Sequence, residues 1–238
     1  MKLTTSILAF LSSSSAHESN RCTAVQFGAE GSFPLTSLSS YPGSGNTWVR
    51  YLIEEYTGYY TGSIYSDNNL FHGGFKVSND MKNKAKVFKG EKVDWKAGTT
   101  IVVKAHSFKD DRNLNDSILL IRSPYDAILA EFNRLKGNSK GGDHHTGLAS
   151  LDDFLSDDWK EMDMGRRAFR WNKLYTANLL NRRTLPIFYE DLKKAPIPEM
   201  RKIGEFLNIT EDSVDERFDC MFGDHSKIRV YKLSIQRT

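Results

Sequence analysis

The stretch of residues 35–56, LTSLSSYPGSGNTWVRYLIEEY, constrains the fold of this 238-residue chain more than any other. A β-prone run ends at Tyr41, and apolar residues recur at helical spacing from Asn46 onwards. Between them lies a turn in which Gly43 and Gly45 allow positive φ and a close approach of the backbone to a ligand. The stretch therefore predicts a strand, a small-residue loop and a helix.

The start of this helix has the features of an anion site. Asn46 or Thr47 is expected to cap the helix, and Ser44 and Thr47 add hydroxyl donors. The free N–H groups of the first turn, together with the positive end of the helix, suit a group of phosphate size. Glycines alone would equally fit a tight turn into a buried helix. The combination of strand, loop, cap and hydroxyls favours phosphate binding.

The loop differs from the Walker A pattern, which needs G-x-x-x-x-G-K-[ST]. Residues 35–48 contain no lysine or arginine. The form S-Y-P-x-S-G-x-T-W instead resembles the 5′-phosphosulfate loop of sulfotransferases that use 3′-phosphoadenylyl sulfate (PAPS). The longer run to residue 67 is similar to the sulfotransferase domains of WSC-domain proteins. Most sulfotransferases have a loop lysine where this chain has Gly43. The resemblance implies that the 5′-phosphosulfate is held by Gly43, Ser44, Gly45, Asn46 and Thr47.

A second motif, VVKAHS, ends with two residues suited to transfer chemistry. Strand alternation places Lys104 and His106 on the same face. Histidine has the ordinary pKa, about 6.5, for taking a proton from an attacking hydroxyl at neutral pH. A strand-end histidine bonded to a loop carbonyl is the structural alternative. The segment resembles the sulfotransferase K-T-H motif, which implies that His106 is the base and that Lys104 contacts the transferred group.

Two further segments complete the resemblance. Arg122, in IRSPYDAILA, resembles the arginine that holds the 3′-phosphate, and Ser123 could add a hydroxyl. The serine that the family places eight positions later is Ala130 here. The run FYEDL resembles the Y-E-D segment whose tyrosine, Tyr189, contributes to the adenine site. Trp48 corresponds to the tryptophan against the adenine, although its helical spacing also fits a core residue.

The order of apolar runs predicts an α/β protein. We expect strands at 35–41, 99–106, 116–121 and 185–189, with a short one at 86–88. Helices are expected at 46–56, 125–135, 162–182 and 198–207, with loops at 57–67 and 137–147. The fold class is a three-layer, P-loop-like fold with a mainly parallel central sheet flanked by helices. Ligands of such sheets bind at the carboxyl ends of strands, where the residues named above converge.

Composition is that of a globular protein with one domain, 39% hydrophobic and 26% charged. A net charge of +3 is too small to indicate a nucleic-acid partner. His144 and His145 lie in a Gly-rich loop without further patterned ligands, so no metal is expected. Cys22 and Cys220 could pair, and their spacing leaves this open.

Residues 1–16 resemble a short secretory signal, 17–34 predict an irregular lead-in, and 35–238 form the predicted domain. No later stretch is long enough to span a membrane. Sequons at Asn115 and Asn208 matter only in the secretory route. We expect the secretory pathway or Golgi lumen, with the cytoplasm as the alternative.

Together these motifs predict a PAPS-dependent sulfotransferase that acts on a hydroxyl acceptor, such as a carbohydrate, without a metal. The chief alternative is a catalytically silent PAPS- or PAP-binding or protein-interaction domain of the same fold (PAP being 3′-phosphoadenosine 5′-phosphate), which Gly43 and Ala130 motivate. A P-loop kinase or NTPase lacks support because the Gly-Lys-[Ser/Thr] run is missing. The acceptor and the oligomeric state stay open.

Overall fold

A computed structural model describes residues 25–65, 88–109, 113–139, 148–162, 164–209 and Arg217. In these ranges five strands form one sheet in the order β2-β3-β1-β4-β5, and every neighbouring pair is parallel. The strands are β1 (Thr36–Ser40), β2 (Gly62–Ser63), β3 (Val103–Ala105), β4 (Asp116–Ile121) and β5 (Arg183–Phe188). The parallel arrangement brings all five carboxyl ends to one edge of the sheet, called here the rim.

Helices cover both faces of this sheet. They are α1 (Asn46–Thr57), α2 (Pro124–Ser139), α3 (Leu151–Leu155), α4 (Asp157–Lys160), α5 (Met164–Asn181), α6 (Tyr189–Lys194) and α7 (Pro196–Phe206). Two short 3₁₀ turns, Lys89–Lys92 and Trp95–Ala97, precede β3. None of the helices in the described ranges is long and apolar enough to cross a bilayer.

Strand β4 shows how the layers arise. Ile118 and Leu120 point to a core that is completed by α1, α6 and α7, whereas Leu119 points to a second core against α2 and α5. All three side chains are fully buried. This double burial explains why β4 reads as a continuous apolar run without polar alternation. The predicted three-layer fold with a mainly parallel sheet is confirmed.

The expected strand at 99–106 is shorter than the sequence indicates. Only Val103–Ala105 join the ladder, although residues 100–102 are also buried. Their backbone groups bond to loop segments instead: the Gly28 N–H donates to the Thr99 carbonyl (2.9 Å), and the Ile101 N–H donates to the Tyr60 carbonyl (3.0 Å). The run 57–67 was expected to be loop throughout, but Gly62–Ser63 form the edge strand β2.

Other boundaries differ by a few residues. The last strand starts at Arg183 and ends at Phe188, so Tyr189 begins a helix. Phe88 lies outside any strand, and the rest of the expected strand 86–88 falls outside the described residues. The expectations for residues 1–24, including Cys22, and for His144, His145 and Cys220 also fall outside them.

A fully buried arginine on α1 fastens the edge of the sheet. The Arg50 Nε donates to Thr61 Oγ1 (2.8 Å), and its Nη1 lies 2.5 Å from Glu91 Oε1. Its guanidinium also stacks over the Phe88 ring, 3.8 Å from the centroid. Glu54, one turn along α1, accepts from the Thr61 N–H and hydroxyl (2.8 and 2.7 Å). This cluster joins α1 to β2 and to the first 3₁₀ turn.

The charges in this cluster depend on each other. Burial raises the pKa of Glu54 to about 7, and the Arg50 charge opposes that rise. A buried ion pair stabilises little compared with an apolar replacement of both partners, but removal of one partner leaves an uncompensated charge. Arg50 is therefore the group on which the cluster depends.

We predict that Arg50→Met lowers the free energy of unfolding by about 3–5 kcal/mol, because Glu91 and Glu54 lose their buried cation. Urea unfolding followed by circular dichroism measures this loss. The matched control is Arg183→Met, which removes a largely exposed arginine that pairs with Asp116. The control should cost at most about 1 kcal/mol. Equal small losses in both variants would contradict a structural role for Arg50.

Candidate functional site

Four chain segments meet at the rim. The loop 41–45 follows β1, His106 follows β3, Arg122 follows β4 and Tyr189 follows β5. Open α/β sheets bind ligands in this position, outside the carboxyl ends of their strands. The structure thus brings the predicted site residues together at one edge of the sheet.

The loop after β1 is pressed against its neighbours. Gly43 has φ of 81°, and a Cβ there would lie 2.3 Å from the Ala127 carbonyl oxygen of α2. Gly45 has φ of 90°, and a Cβ there would lie 2.7 Å from the Tyr189 ring. Both positions need glycine because of the left-handed backbone and the lack of space. The loop is held in one conformation.

The first turn of α1 offers free donors. Gly45 occupies the cap position without a side-chain bond, so the expected capping by Asn46 or Thr47 is wrong. The Asn46 side-chain amide turns back instead and donates to the Leu38 carbonyl (3.0 Å) and Ser40 Oγ (3.1 Å). Within the described ranges, the backbone N–H groups of Gly45, Asn46, Thr47 and Trp48 have no acceptor. These groups satisfy the requirement for an anion site at a helix start.

Ser44 contributes differently from the sequence expectation. Its N–H already donates to the Tyr41 carbonyl (3.2 Å), and its side chain is buried. The Ser44 hydroxyl lies 3.5 Å from the Tyr175 Oη. Because the Tyr175 hydroxyl donates its proton to the Leu120 carbonyl, Ser44 is the donor in this contact. Ser44 therefore helps to shape the loop.

Tyr175 of α5 fastens the loop to the sheet. Its hydroxyl donates to the Leu120 carbonyl of β4 (3.0 Å) and accepts from the Tyr41 N–H (3.3 Å). Burial raises the pKa of Tyr175, so the hydroxyl keeps the proton that it donates. A tyrosine at core spacing on a helix reads as packing alone, and sequence reasoning missed this contact.

The His106 ring is fixed by contacts on both sides. Its Nδ1 lies 2.8 Å from the Ser40 carbonyl oxygen and 3.4 Å from Ser40 Oγ. The Tyr65 ring stacks on it with 5.6 Å between centroids and 19° between planes. The Tyr65 hydroxyl also accepts from the His106 backbone N–H (3.0 Å).

These contacts decide which nitrogen of His106 can take a proton. A carbonyl oxygen only accepts, so the contact to Ser40 requires the proton on Nδ1. The neutral ring then has its lone pair on Nε2, and no described residue bonds to that atom. Burial, followed by the charge of Lys104, lowers the pKa of His106 from 6.5 to about 4. The ring is therefore neutral at pH 7.

Ser40 links this base to the loop helix. Its carbonyl accepts from His106, and its hydroxyl accepts from the Asn46 amide at 3.1 Å. The Asn46 Oδ1 is buried without a partner among the described residues. One residue at the end of β1 thus connects the helix start with the imidazole.

Arg122 lies beside the loop. Its Nη1 donates to the Gly43 carbonyl oxygen (2.8 Å), and its guanidinium lies over the Tyr189 ring, 4.6 Å from the centroid. Its Nε is buried without a partner in the described ranges. The planar fork therefore has donors left for an anion next to the loop.

Two aromatic rings lie next to Arg122 and the loop. Trp48 and Tyr189 are half-buried and meet edge to face, with 5.7 Å between centroids and 73° between planes. The Ser123 N–H donates to Glu190 Oε1 (3.0 Å), so Glu190 links the end of β5 to the start of α2. Ala130 is half-buried on α2 and offers no side-chain donor.

Lys104 is a buried cation in the middle of β3. It pairs in register with Leu38 of β1 and Ser63 of β2. Its charge is felt at His106, as the lowered pKa shows. The predicted proximity of these two side chains agrees with this effect. In the described part of the chain, no group of histidine, cysteine or carboxylate side chains has the arrangement of a metal site.

Known proteins were compared with the chain. The family described as Sulfotransferase domain matches residues 36–234. Among curated proteins, WSCD family member GA21586 of Drosophila pseudoobscura pseudoobscura is 34% identical over 75% of this chain and 52% of its own length. WSCD family member CG9164 of Drosophila melanogaster is 34% identical over 73% of this chain and 50% of its own length. The chain thus spans about half the length of the curated relatives it matches.

Among solved structures, the crystal structure of mouse sulfotransferase SULT7A1 complexed with PAP aligns with a TM-score of 0.45 and 16% identity. The alignment covers 80% of this chain and 64% of that one. The family match covers the sheet, the loop and all four strand ends described above. On that match, this chain belongs to the sulfotransferase domain family.

Proposed function

We propose that the protein is a PAPS-dependent sulfotransferase that transfers a sulfuryl group to a hydroxyl, in a carbohydrate acceptor. One observation supports this most: a neutral imidazole shares the rim with a helix start, and neither the imidazole Nε2 nor the N–H groups of that helix start have a partner among the described residues. Family membership supports sulfuryl transfer as the reaction class, and the N–H groups at the helix start support a donor that carries phosphate. PAPS, when bound, supplies the activated sulfuryl group.

The residues at the rim fit such a donor. In the proposal, the N–H groups from Gly45 to Trp48 hold the 5′-phosphosulfate, with the hydroxyls of Ser44 and Thr47. Arg122 holds the 3′-phosphate, and the rings of Trp48 and Tyr189 contact the adenine. The Nε of Arg122, which is buried and has no partner among the described residues, supports a role in anion binding.

His106 is the proposed base. Its Nε2 takes the proton of the acceptor hydroxyl during attack, while Ser40 holds the proton on Nδ1. The stacked ring of Tyr65 limits rotation of the imidazole and covers one of its faces. An acceptor therefore approaches along the open edge of the ring.

Lys104 is the proposed electrophilic residue. Negative charge grows on the departing phosphate oxygen, and a donor fixed in a dry site stabilises it. The loop has no lysine, since position 43 is glycine. Lys104 on β3 is a buried cation whose charge acts on His106. We propose that it has a larger share of this role than in relatives with both lysines.

The alternative is a silent binding domain that keeps the pocket, which the absent loop lysine and Ala130 support. Turnover of PAPS distinguishes it from an enzyme. A P-loop kinase would require Mg²⁺ and bind ATP.

We propose the secretory route as the location, on the N-terminal sequence alone.

The first test concerns donor binding. We predict that PAP binds with micromolar affinity or better, about −8 kcal/mol, without Mg²⁺, and that ATP does not. Calorimetry measures both, and a folded protein that binds no PAP would refute the proposed donor. Arg122→Ala should weaken PAP by about 1.5–3 kcal/mol.

Arg122 also bonds to the loop, so a second ligand is needed to isolate its role. Adenosine 5′-phosphate, which lacks the 3′-phosphate, reports the effect of loop loosening. Equal losses for the two ligands would assign Arg122 to the loop alone.

The second test concerns the base. His106→Ala should lower kcat by about 10²–10⁴-fold and leave PAP affinity nearly unchanged, because the ring contacts the acceptor and not the nucleotide. Initial rates with labelled PAPS measure the effect, and circular dichroism checks the fold. Near-normal turnover would leave His106 a structural residue.

The pH dependence gives an independent measurement. The neutral ring is the active form, and its pKa lies near 4, below the ordinary 6.5. The value of kcat/KM for PAPS, which reports the donor-free enzyme, should therefore be unaffected by His106 titration between pH 8 and 5 and fall below that. A fall centred near pH 6.5 would contradict the lowered pKa.

The third test concerns Lys104. Lys104→Ala, and the better space-filling Lys104→Met, should abolish measurable transfer while PAP still binds. The pKa of His106 should rise in both variants because a nearby positive charge is removed, and NMR titration of the ring follows it. Parental rates in the folded Met variant would mean that another cation neutralises the leaving group.

A lysine cannot be restored at position 43. The φ of 81° and the Ala127 carbonyl mean that Gly43→Lys should destabilise the fold by more than about 1 kcal/mol and fail to rescue Lys104→Ala. Gly43→Ala is the control for the backbone effect and should lose stability similarly.

A further inference from the structure

The proton transfer proposed for His106 creates a positive charge in an unfavourable place. When Nε2 takes the proton of the acceptor hydroxyl, the neutral ring becomes an imidazolium. Burial disfavours that cation, and so do the charges of Lys104 on β3, Arg134 on α2 and Arg50 on α1, which together lower the pKa of His106 to about 4. Any contact that favours the charged ring therefore helps His106 to act as a base.

Two contacts of the ring favour its charged form. The Ser40 carbonyl accepts from Nδ1 at 2.8 Å, and a hydrogen bond of this kind strengthens when the donor becomes charged. The second contact is the half-buried Tyr65 ring, which is nearly parallel to the imidazole with 5.6 Å between centroids. The electron-rich face of an aromatic ring attracts a cation within about 6 Å of its centroid. Tyr65 is therefore placed to act on the charge of His106 as well as on its orientation.

The position of Tyr65 is fixed by bonds other than this stacking contact. Its N–H donates to Ser63 Oγ (3.0 Å), and the Ile64 N–H donates to the Lys104 carbonyl of β3 (3.2 Å). The Tyr65 hydroxyl accepts from the backbone N–H of His106 (3.0 Å), which is not part of the imidazole. The residue is thus tied to β2 and to the end of β3, and its hydroxyl and its ring face have separable effects.

We propose that Tyr65 is a positioning residue whose ring face stabilises the imidazolium of His106 during sulfuryl transfer. The acceptor O–H bond breaks as the Nε2–H bond forms, and the freed electron pair of that oxygen bonds to sulfur. The electron pair of the broken S–O bond stays on the departing phosphate, and the imidazolium later returns its proton to solvent. This role rests on the proposed function and adds an electrostatic effect of the ring to its packing.

The experiment changes the charge on the ring face and keeps the shape of the ring. In the full chain, Tyr65 is replaced by phenylalanine and by its 4-fluoro, 3,5-difluoro and 3,4,5-trifluoro analogues. Each fluorine withdraws electron density from the ring face, so the attraction to a cation weakens in steps. Tyr65→Phe is the reference because every member of the series lacks the hydroxyl. NMR titration of the His106 ring gives its pKa, and initial rates with labelled PAPS give kcat.

Tyr60 carries the matched control series. It is half-buried like Tyr65, and the Lys89 Nζ lies 5.2 Å from the centroid of its ring, so it has a cation contact of its own. It precedes β2, at the end of that strand opposite the rim. The same substitutions at Tyr60 should leave the pKa of His106 and kcat unchanged. A second titration in the Lys104→Met background, where the pKa of His106 is expected to rise, keeps the measurement away from acid unfolding.

From phenylalanine to the trifluoro analogue at Tyr65, the pKa of His106 should fall by about 0.5–1 unit, as expected for a cation that loses its attraction to a ring face. The value of kcat should fall in the same order by about twofold to fivefold, since only part of the charge has formed in the transition state. PAP affinity should stay unchanged because the ring contacts the base and not the nucleotide.

Four results would overturn the inference. A constant pKa of His106 across the series would mean that the ring only packs, and a constant kcat with a falling pKa would exclude a role in the reaction. An equal response in the Tyr60 series would mean a general effect, and a parallel loss of PAP affinity would place Tyr65 at the nucleotide. Failure of the parent to bind PAP would count against the proposed function instead, and the titration, which needs no ligand, would still test the contact between the ring and the imidazolium.

Discussion

The close contact of the loop 41–45 with α2 and Tyr189 is the constraint on which the site depends. Neither Gly43 nor Gly45 has space for a Cβ, and the Tyr175 hydroxyl holds the start of the loop from the third side. A loop with this little freedom keeps its N–H groups aimed before any ligand arrives. Fixed dipoles of this kind stabilise charge without a cost of reorganisation.

The positions of the positive charges at the rim are related to the composition of this loop. Because it has no lysine, the cations at the rim come from the neighbouring strands, with Lys104 on β3 and Arg122 after β4. Burial, followed by the charge of Lys104, lowers the pKa of His106, so the imidazole is neutral at pH 7. In the proposed mechanism, one buried cation thus stabilises the leaving group and also lowers the pKa of the base.

The sequence predicted the layers and the rim because both depend on periodicity. The run 116–121 matched β4 in full, and the Gly-rich turn matched the loop. It did not predict the contacts that cross between elements. Nothing in the helical pattern indicates that Arg50 is fully buried against Thr61. Asn46 looked like a cap, yet its amide bonds to β1, since a glycine already provides the turn.

Ser40 gives the site a common frame of reference. Its carbonyl orients the imidazole and its hydroxyl orients the first residue of α1, and both belong to a central strand with neighbours on each side. When the sheet changes its twist, α1 and the His106 ring are displaced together. The distance between the start of α1 and the His106 ring then varies less than the position of either one.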